Sequence, residues 1–250
     1  MGKIFLKTPA EIDRLRASGR LVAQTLALLK EAVTPGITTL ELDKLAEQFI
    51  RKHRAVPSFK GYQGFPASVC CSINEQVVHG IPNTRKLKEG DIITLDVGAY
   101  QNGFHGDSAI TVAVGKISAA AQELMNVTVE ALHRGIQSAQ VGARLGDIGY
   151  AIESLAQQHG YGVVREYTGH GIGRELHEAP HVLHYGKANT GLRLKEGMVF
   201  TIEPMLTAGS PEIQVKKDGW TAVTKDNSLC VQFEHMLALT PHGIDILTLP

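Results

Sequence analysis

Leu87-Lys88-Glu89-Gly90-Asp91-Ile92-Ile93-Thr94-Leu95-Asp96 returns 107 residues later as Leu194-Lys195-Glu196-Gly197-Met198-Val199-Phe200-Thr201-Ile202-Glu203. The same Leu-Lys-Glu-Gly lead opens each copy, an apolar run follows, and each ends in a carboxylate. Upstream the likeness continues: Pro35-Gly36 with Leu42, Leu45 and Phe49 parallels Val141-Gly142 with Ile148, Ala151 and Leu155. A period this long exceeds a solenoid unit. The pattern predicts an α+β chain of two similar halves facing each other, roughly 8–116 and 117–250, within one domain spanning 1–250. Each half runs helix, helix, then strands that end in acid.

Outward from the repeat, Thr8-Pro9-Ala10-Glu11 reads as a helix start with a capping box and proline at the first helical position. Ile12, Leu15, Leu21, Val22, Leu26 and Leu29 then recur at helical spacing until Thr34-Pro35-Gly36. Further helices are expected over 40–51, 118–139 and 145–158. Strands and loops are expected over 57–82, two strands over 91–114, and mostly strand and turn after 158.

Formal net charge is zero, with 43% hydrophobic and 20% charged residues. No basic block marks nucleic acid or an anionic membrane as the main partner. No apolar run approaches the ~20 residues of a membrane span, and Met1-Gly2 is followed by Leu6 where a myristoylation signal wants Ser or Thr. Cys70, Cys71 and Cys230 are odd in number and two are adjacent, so no disulfide framework is implied. The expectation is a soluble enzyme of a reducing compartment, the cytoplasm.

Asn102-Gly103 is a strong hairpin signal. With that turn, residues pair when their numbers sum to 205: Asp107 faces Gly98 and Asp96 faces Ala109. Asp96 and Asp107 become diagonal neighbours on one face, with Cβ atoms roughly 7–8 Å apart. Two carboxylates so placed repel unless a cation lies between them, and Gly98 opposite Asp107 is expected to leave room for one. Glu203 closes an apolar strand, and Glu234 lies inside the mostly apolar run 229–239. Four such acids are hard to reconcile with buried, unpaired charge.

His170, His177, His181 and His184 cluster within fifteen residues. His170 sits in Thr168-Gly169-His170-Gly171-Ile172-Gly173, read as a loop able to approach a ligand closely. Its glycine spacing departs from that of nucleotide-binding loops. His181 and His184 read as surface or helix-cap residues. No His-Glu-x-x-His occurs. One imidazole with four carboxylates suits Mn, Fe or Co better than a structural zinc. Five ligands exceed a single catalytic zinc site and fit two divalent ions (Co, Mn, Fe or Zn) held ~3.5–4 Å apart by bridging carboxylates.

Asp96, Asp107, His170, Glu203 and Glu234, in this order and context, resemble the type I methionine aminopeptidases, in the short bacterial form without an N-terminal extension. So do Gly61-Tyr62-Gln63-Gly64-Phe65-Pro66, Ser72-Ile73-Asn74-Glu75, Val78-His79-Gly80-Ile81-Pro82, Gly103-Phe104-His105-Gly106-Asp107 and Phe200-Thr201-Ile202-Glu203-Pro204. The resemblance implies the pita-bread fold: two pseudo-symmetric halves around a curved antiparallel sheet that cradles the metals. It implies that Asp96 chelates one ion, Asp107 and Glu234 bridge both, and His170 and Glu203 complete the other. Glu203 would double as general base. His79 would contact the scissile peptide and His177 its carbonyl.

It further implies a methionine pocket lined by Phe59, Tyr62, Phe65, Cys70, His79, Leu176 and Trp220. A thioether packs well against aromatics and sulfur. Phe59, Phe65 and Leu176 depart from the family's common choices, which leaves the pocket's shape open. The implied activity is removal of initiator methionine from nascent, deformylated chains with a small second residue, by a monomer, with the ribosome as a further partner. The alternatives are an X-Pro aminopeptidase of the same fold and a metal-free binding module.

Overall fold

Thr8 and Thr38 open the first two helices by one device. In the computed structural model, which describes residues 2–250, each threonine hydroxyl accepts the backbone N–H of the glutamate three residues on. That glutamate's carboxylate accepts the threonine N–H in return. Donors that a helix start leaves open are thereby satisfied. Helix α1 spans Pro9–Ala32 and α2 spans Thr39–Lys52. Strands β1 (Val56–Pro57), β2 (Val69–Ile73), β3 (Ile92–Gln101) and β4 (Phe104–Ala113) complete the first half. The second repeats the order: α3 (Ala119–Ser138), α4 (Leu145–Gln158), then β5 (Gly162–Val163), β6 (Gly169–Gly171), β7 (Glu178–Val182), β8 (Val199–Ile202) and β9 (Met205–Thr207). It closes with β10 (Ile213–Val215), β11 (Ala222–Thr224), β12 (Cys230–Gln232), β13 (His235–Thr240) and β14 (Gly243–Ile246).

All pairings are antiparallel. β3 pairs with β4 on one side and with β2 and the short β1 on the other. The second main sheet has the order β14-β13-β8-β6-β7. β12-β9-β5 and β10-β11 form two smaller sheets. Asn102 and Gly103 take positive φ at the β3–β4 turn, and the register is the one their signal predicts: Asp96 opposite Ala109, Gly98 opposite Asp107, without a bulge.

Strand alternation then sorts the faces. Ile93, Leu95, Val97 and Ala99 of β3 pack with Leu21, Val22, Leu26 and Leu42 of α1 and α2. Phe200 and Ile202 of β8 and Leu237 and Leu239 of β13 pack with α3 and α4 residues such as Leu124, Ile148 and Ile152. Each half thus covers its sheet with its own helix pair. Asp96 is left on the opposite face of β3.

Backbone and side-chain bonds stitch the halves together. Ala109 O accepts from Glu234 N–H (2.9 Å), and Ser108 Oγ donates to Glu234 O (2.5 Å). Thr111 Oγ1 donates to Gln232 O (2.8 Å). Two expectations need correction here. Glu234 is not inside a strand but at the break between β12 and β13, where its backbone turns to meet β4. The glycine-rich segment around His170 is not a loop but the short strand β6, with a register shift at His170/Gly171.

β4 crosses α1 at Gly106. A Cβ there would lie 2.6 Å from Ser18 C and 2.7 Å from Gly19 N, both helix backbone atoms that cannot step aside. Gly106→Ala is therefore expected to cost roughly 1–3 kcal/mol through overpacking, read as a lowered urea midpoint at unchanged slope. An unchanged midpoint would contradict this packing. No helix among the described residues is long and apolar enough to cross a membrane. All three cysteines are buried and free.

Candidate metal centre and substrate cavity

Asp96 of β3 and Asp107 of β4 face one cavity of about 580 Å³, together with His170 of β6, Glu203 just past β8 and Glu234. Donor atoms of Asp107, His170 and Glu234 all lie within 4.8 Å of one another, and these three residues are buried. His170 Nε2 is 3.7 Å from Asp107 Oδ2 and 3.7 Å from Glu203 Oε1. First and second halves thus contribute to one cluster.

The electrostatics of this cluster are unfavourable for protein alone. Burial lifts the Asp96 carboxyl to about 7, and burial with the Asp96 charge lifts Glu203 to about 8. Asp107 and Glu234 are pushed well above the usual carboxylate range by burial first, then by neighbouring carboxylates. Burial, with His177 nearby, lowers His170 to about 3, so its imidazole is neutral and its Nε2 can ligate. Asp96 Oδ1, Asp107 Oδ1 and Glu234 Oε1 are buried with no hydrogen-bond partner. Such orphaned acceptors call for an explanation. Divalent cations supply it: crowded oxygens with one neutral imidazole are a hard-metal donor set.

Further contacts fix the ring and the carboxylate. His170 Nδ1 lies 2.9 Å from Gly171 O, which places the proton on Nδ1 and leaves Nε2 free. Thr201 Oγ1 accepts from His170 N–H (3.0 Å) and donates to Glu203 Oε1 (2.9 Å). Gln232 Nε2 donates to Glu203 Oε2 (3.3 Å). His184, expected at the surface or a helix cap, is instead fully buried, and its Nε2 accepts Glu203 N–H (3.1 Å). Histidine density alone could not place it, because its partner is the backbone of Glu203, nineteen residues on in another segment. His181 is exposed in β7, in keeping with its surface reading. Thr201 and Gln232, polar in otherwise apolar runs and each two residues before an acid, carried a signal the sequence reading did not use.

The remaining predicted residues line the same cavity: Phe59, Tyr62, Phe65, Cys70 and Leu176, then His79, His177 and Trp220. Phe59, Phe65, Cys70 and Leu176 are buried in a cluster that includes Ile12 and Leu15 of α1. Phe65 meets Trp220 edge-on at 5.2 Å, and His79 meets Tyr167 edge-on at 5.1 Å. Tyr62 Oη lies 2.8 Å from His177 Nδ1, and the His170 and His177 rings are 4.3 Å apart. Gly98 does not make room for an ion as expected. A Cβ there would lie 2.7 Å from Phe59 Cε1, so it is Phe59 that uses the space. Tyr167 and Glu178 also line the cavity and were not singled out in the sequence.

Residues 13–241 match the model of metallopeptidase family M24. Methionine aminopeptidase 1 of Bacillus subtilis is 52% identical over 245 residues, covering 98% of this chain and 99% of that protein. The crystal structure of methionine aminopeptidase from Rickettsia prowazekii superposes with a TM-score of 0.98 at 47% identity, covering 99% of this chain and 100% of that one. Prolidase from Pyrococcus furiosus shares the fold at a TM-score of 0.80 and 23% identity, and this chain covers 65% of it.

Proposed function

The chain belongs to metallopeptidase family M24, and from that premise we propose that it hydrolyses the first peptide bond of proteins beginning with methionine. The observation that carries this reading is the convergence of four carboxylates and His170 beside a cavity walled by aromatics, Cys70 and Leu176. Its natural substrates would be new polypeptides, deformylated and with a small second residue, met in the cytoplasm and close to the ribosome. The protein would act as a monomer.

Asp96, Asp107, His170, Glu203 and Glu234 would hold two divalent ions. Bound there, such ions would supply Lewis acidity, lowering the pKa of a water and polarising the substrate carbonyl. The chain's own groups do the rest. Glu203 is aimed by Thr201 and Gln232, takes the proton of the attacking water and returns it to the leaving amine. His177 is neutral, its proton affinity lowered by burial and then by His181. Tyr62 Oη lies 2.8 Å from its Nδ1; with the phenol as donor there, the ring proton would sit on Nε2, ready to donate to the carbonyl oxygen as charge develops. His79, lowered to about 4 by burial and then by His177, is likewise neutral beside the scissile bond. Phe59, Tyr62, Phe65, Cys70, Leu176 and Trp220 would receive the methionine side chain.

Enzyme supplied with Mn²⁺ or Co²⁺ without oxygen is expected to release methionine from Met-Ala-Ser and to leave Ala-Pro-Phe intact. The reverse preference would assign the site to X-Pro peptides. Bound metal without turnover of either peptide would reduce the protein to a binding module.

A further inference from the structure

Lys7 stands outside the cavity, on the arm before α1, yet its side chain is only 5% exposed. Its Nζ meets Glu178 Oε2 at 2.5 Å, and the Glu178 side chain is 8% exposed. The other oxygen, Glu178 Oε1, accepts the backbone N–H groups of Arg174 (2.9 Å) and Glu175 (3.3 Å). These bonds close the turn that presents Leu176 and His177 to the cavity. Gly173 makes the arrangement possible: a Cβ there would lie 2.4 Å from Glu178 Oε1 and 2.6 Å from Lys7 Nζ. Lys7 also donates its backbone N–H to Gly197 O (2.7 Å), in the turn leading to β8 and Glu203. One residue therefore ties the His177 turn to the segment that carries Glu203.

Stability alone is a weak reason for such a pair. Replacing a buried ion pair by apolar side chains of similar volume is often neutral or stabilising. A fixed register between two segments is the better use of it. We propose that Lys7 is a positioning residue for the reaction, acting through Glu178 to hold Leu176 and His177 against the substrate. The inference rests on the function proposed above.

The test compares Lys7→Met, Glu178→Gln and the double variant, with Mn²⁺ bound and Met-Ala-Ser as substrate. Each single change is expected to lower kcat by about tenfold or more, as a displaced catalytic group does, with KM held within about threefold. If Lys7 works through Glu178, the double variant is no slower than the slower single. A second readout is independent of turnover: the imidazole nitrogen resonances of His177 in protein loaded with diamagnetic Zn²⁺ instead of Mn²⁺, assigned with His177→Gln. Both single variants should shift them as the hydrogen bond to Tyr62 is lost. Near-wild-type kcat, additive losses or unmoved His177 resonances would each overturn the proposal. Should Lys7→Met fail to fold, Glu178→Gln carries the same test, since its carbonyl oxygen can still cap Arg174 and Glu175. A wild-type protein inactive on Met-Ala-Ser counts against the function. An unmoved His177 signal counts against Lys7 whether or not the peptide is cut.

Discussion

Glu203→Gln is expected to lower hydrolysis of Met-Ala-Ser by on the order of 10²–10⁴, the usual worth of a positioned general base. The substitution removes charge and basicity while changing little volume. Its carbonyl oxygen can still accept from Thr201, which now donates to Glu203 Oε1. The new amide group would face Gln232 Nε2, but Gln232 Oε1 has no partner, so a flip of the Gln232 amide turns a clash of donors into a bond. Fold and melting temperature should therefore survive. His170→Ala removes the one imidazole of the cluster and should be comparably inactive. Unlike Glu203→Gln, it should not be rescued in part by a stronger general base in the buffer. Near-normal kcat/KM in either variant, with metal content verified, would remove the proposed chemistry.

Stripping metal with a chelator is expected to make stability fall as pH rises from about 7 to 8. The sign follows from proton counts. Asp96 and Glu203, lifted to about 7 and about 8, still hold protons in the folded chain where unfolded carboxylates have lost them. Asp107 and Glu234 act in the same direction. Folded chain therefore binds more protons than unfolded chain, and each step up in pH favours unfolding. His79, His105, His170, His177, His184 and His235, all depressed chiefly by burial, work the other way while unfolded histidines lose their protons around the ordinary value near ~6.5. Well above that value the carboxylates act alone.

Divalent metal should reverse the trend, because it binds the deprotonated ligands. At a hundred times its dissociation constant it adds about 2.7 kcal/mol, or roughly 5–10 °C in melting temperature for a chain of this size. That gain should be larger at pH 8 than at pH 6. Melting curves indifferent to metal at both pH values would mean that the cluster does not bind it.

The parts legible in the sequence were those written locally. A helix start is signalled within four residues, as at Thr8. The β3–β4 register follows from one Asn-Gly turn and a period of two, so the placing of Asp96 near Asp107 needed nothing distant. The repeat carried that logic to Glu203 by analogy. Beyond this the signals thinned. Strands of the second half are mostly three to six residues long, too short for periodicity to speak, and the break at Glu234 arises from its bonds to Ser108 and Ala109. His170 could be told from its three neighbours only by resemblance. His184 looked peripheral because what buries it is pairing between segments far apart in sequence. Gly98 misled for a related reason: its missing side chain was visible, but Phe59 filling the gap was not.

The bonds that join Ser108, Ala109 and Thr111 to Gln232 and Glu234 leave no hinge between the halves. Neither half could melt while the other stayed ordered, because the strand edges that would part are the ones holding Glu234 in place. Differential scanning calorimetry should accordingly give one endotherm, its measured enthalpy equal to the van't Hoff value. This would hold even though the chain is long enough to have divided into two independently folding bodies.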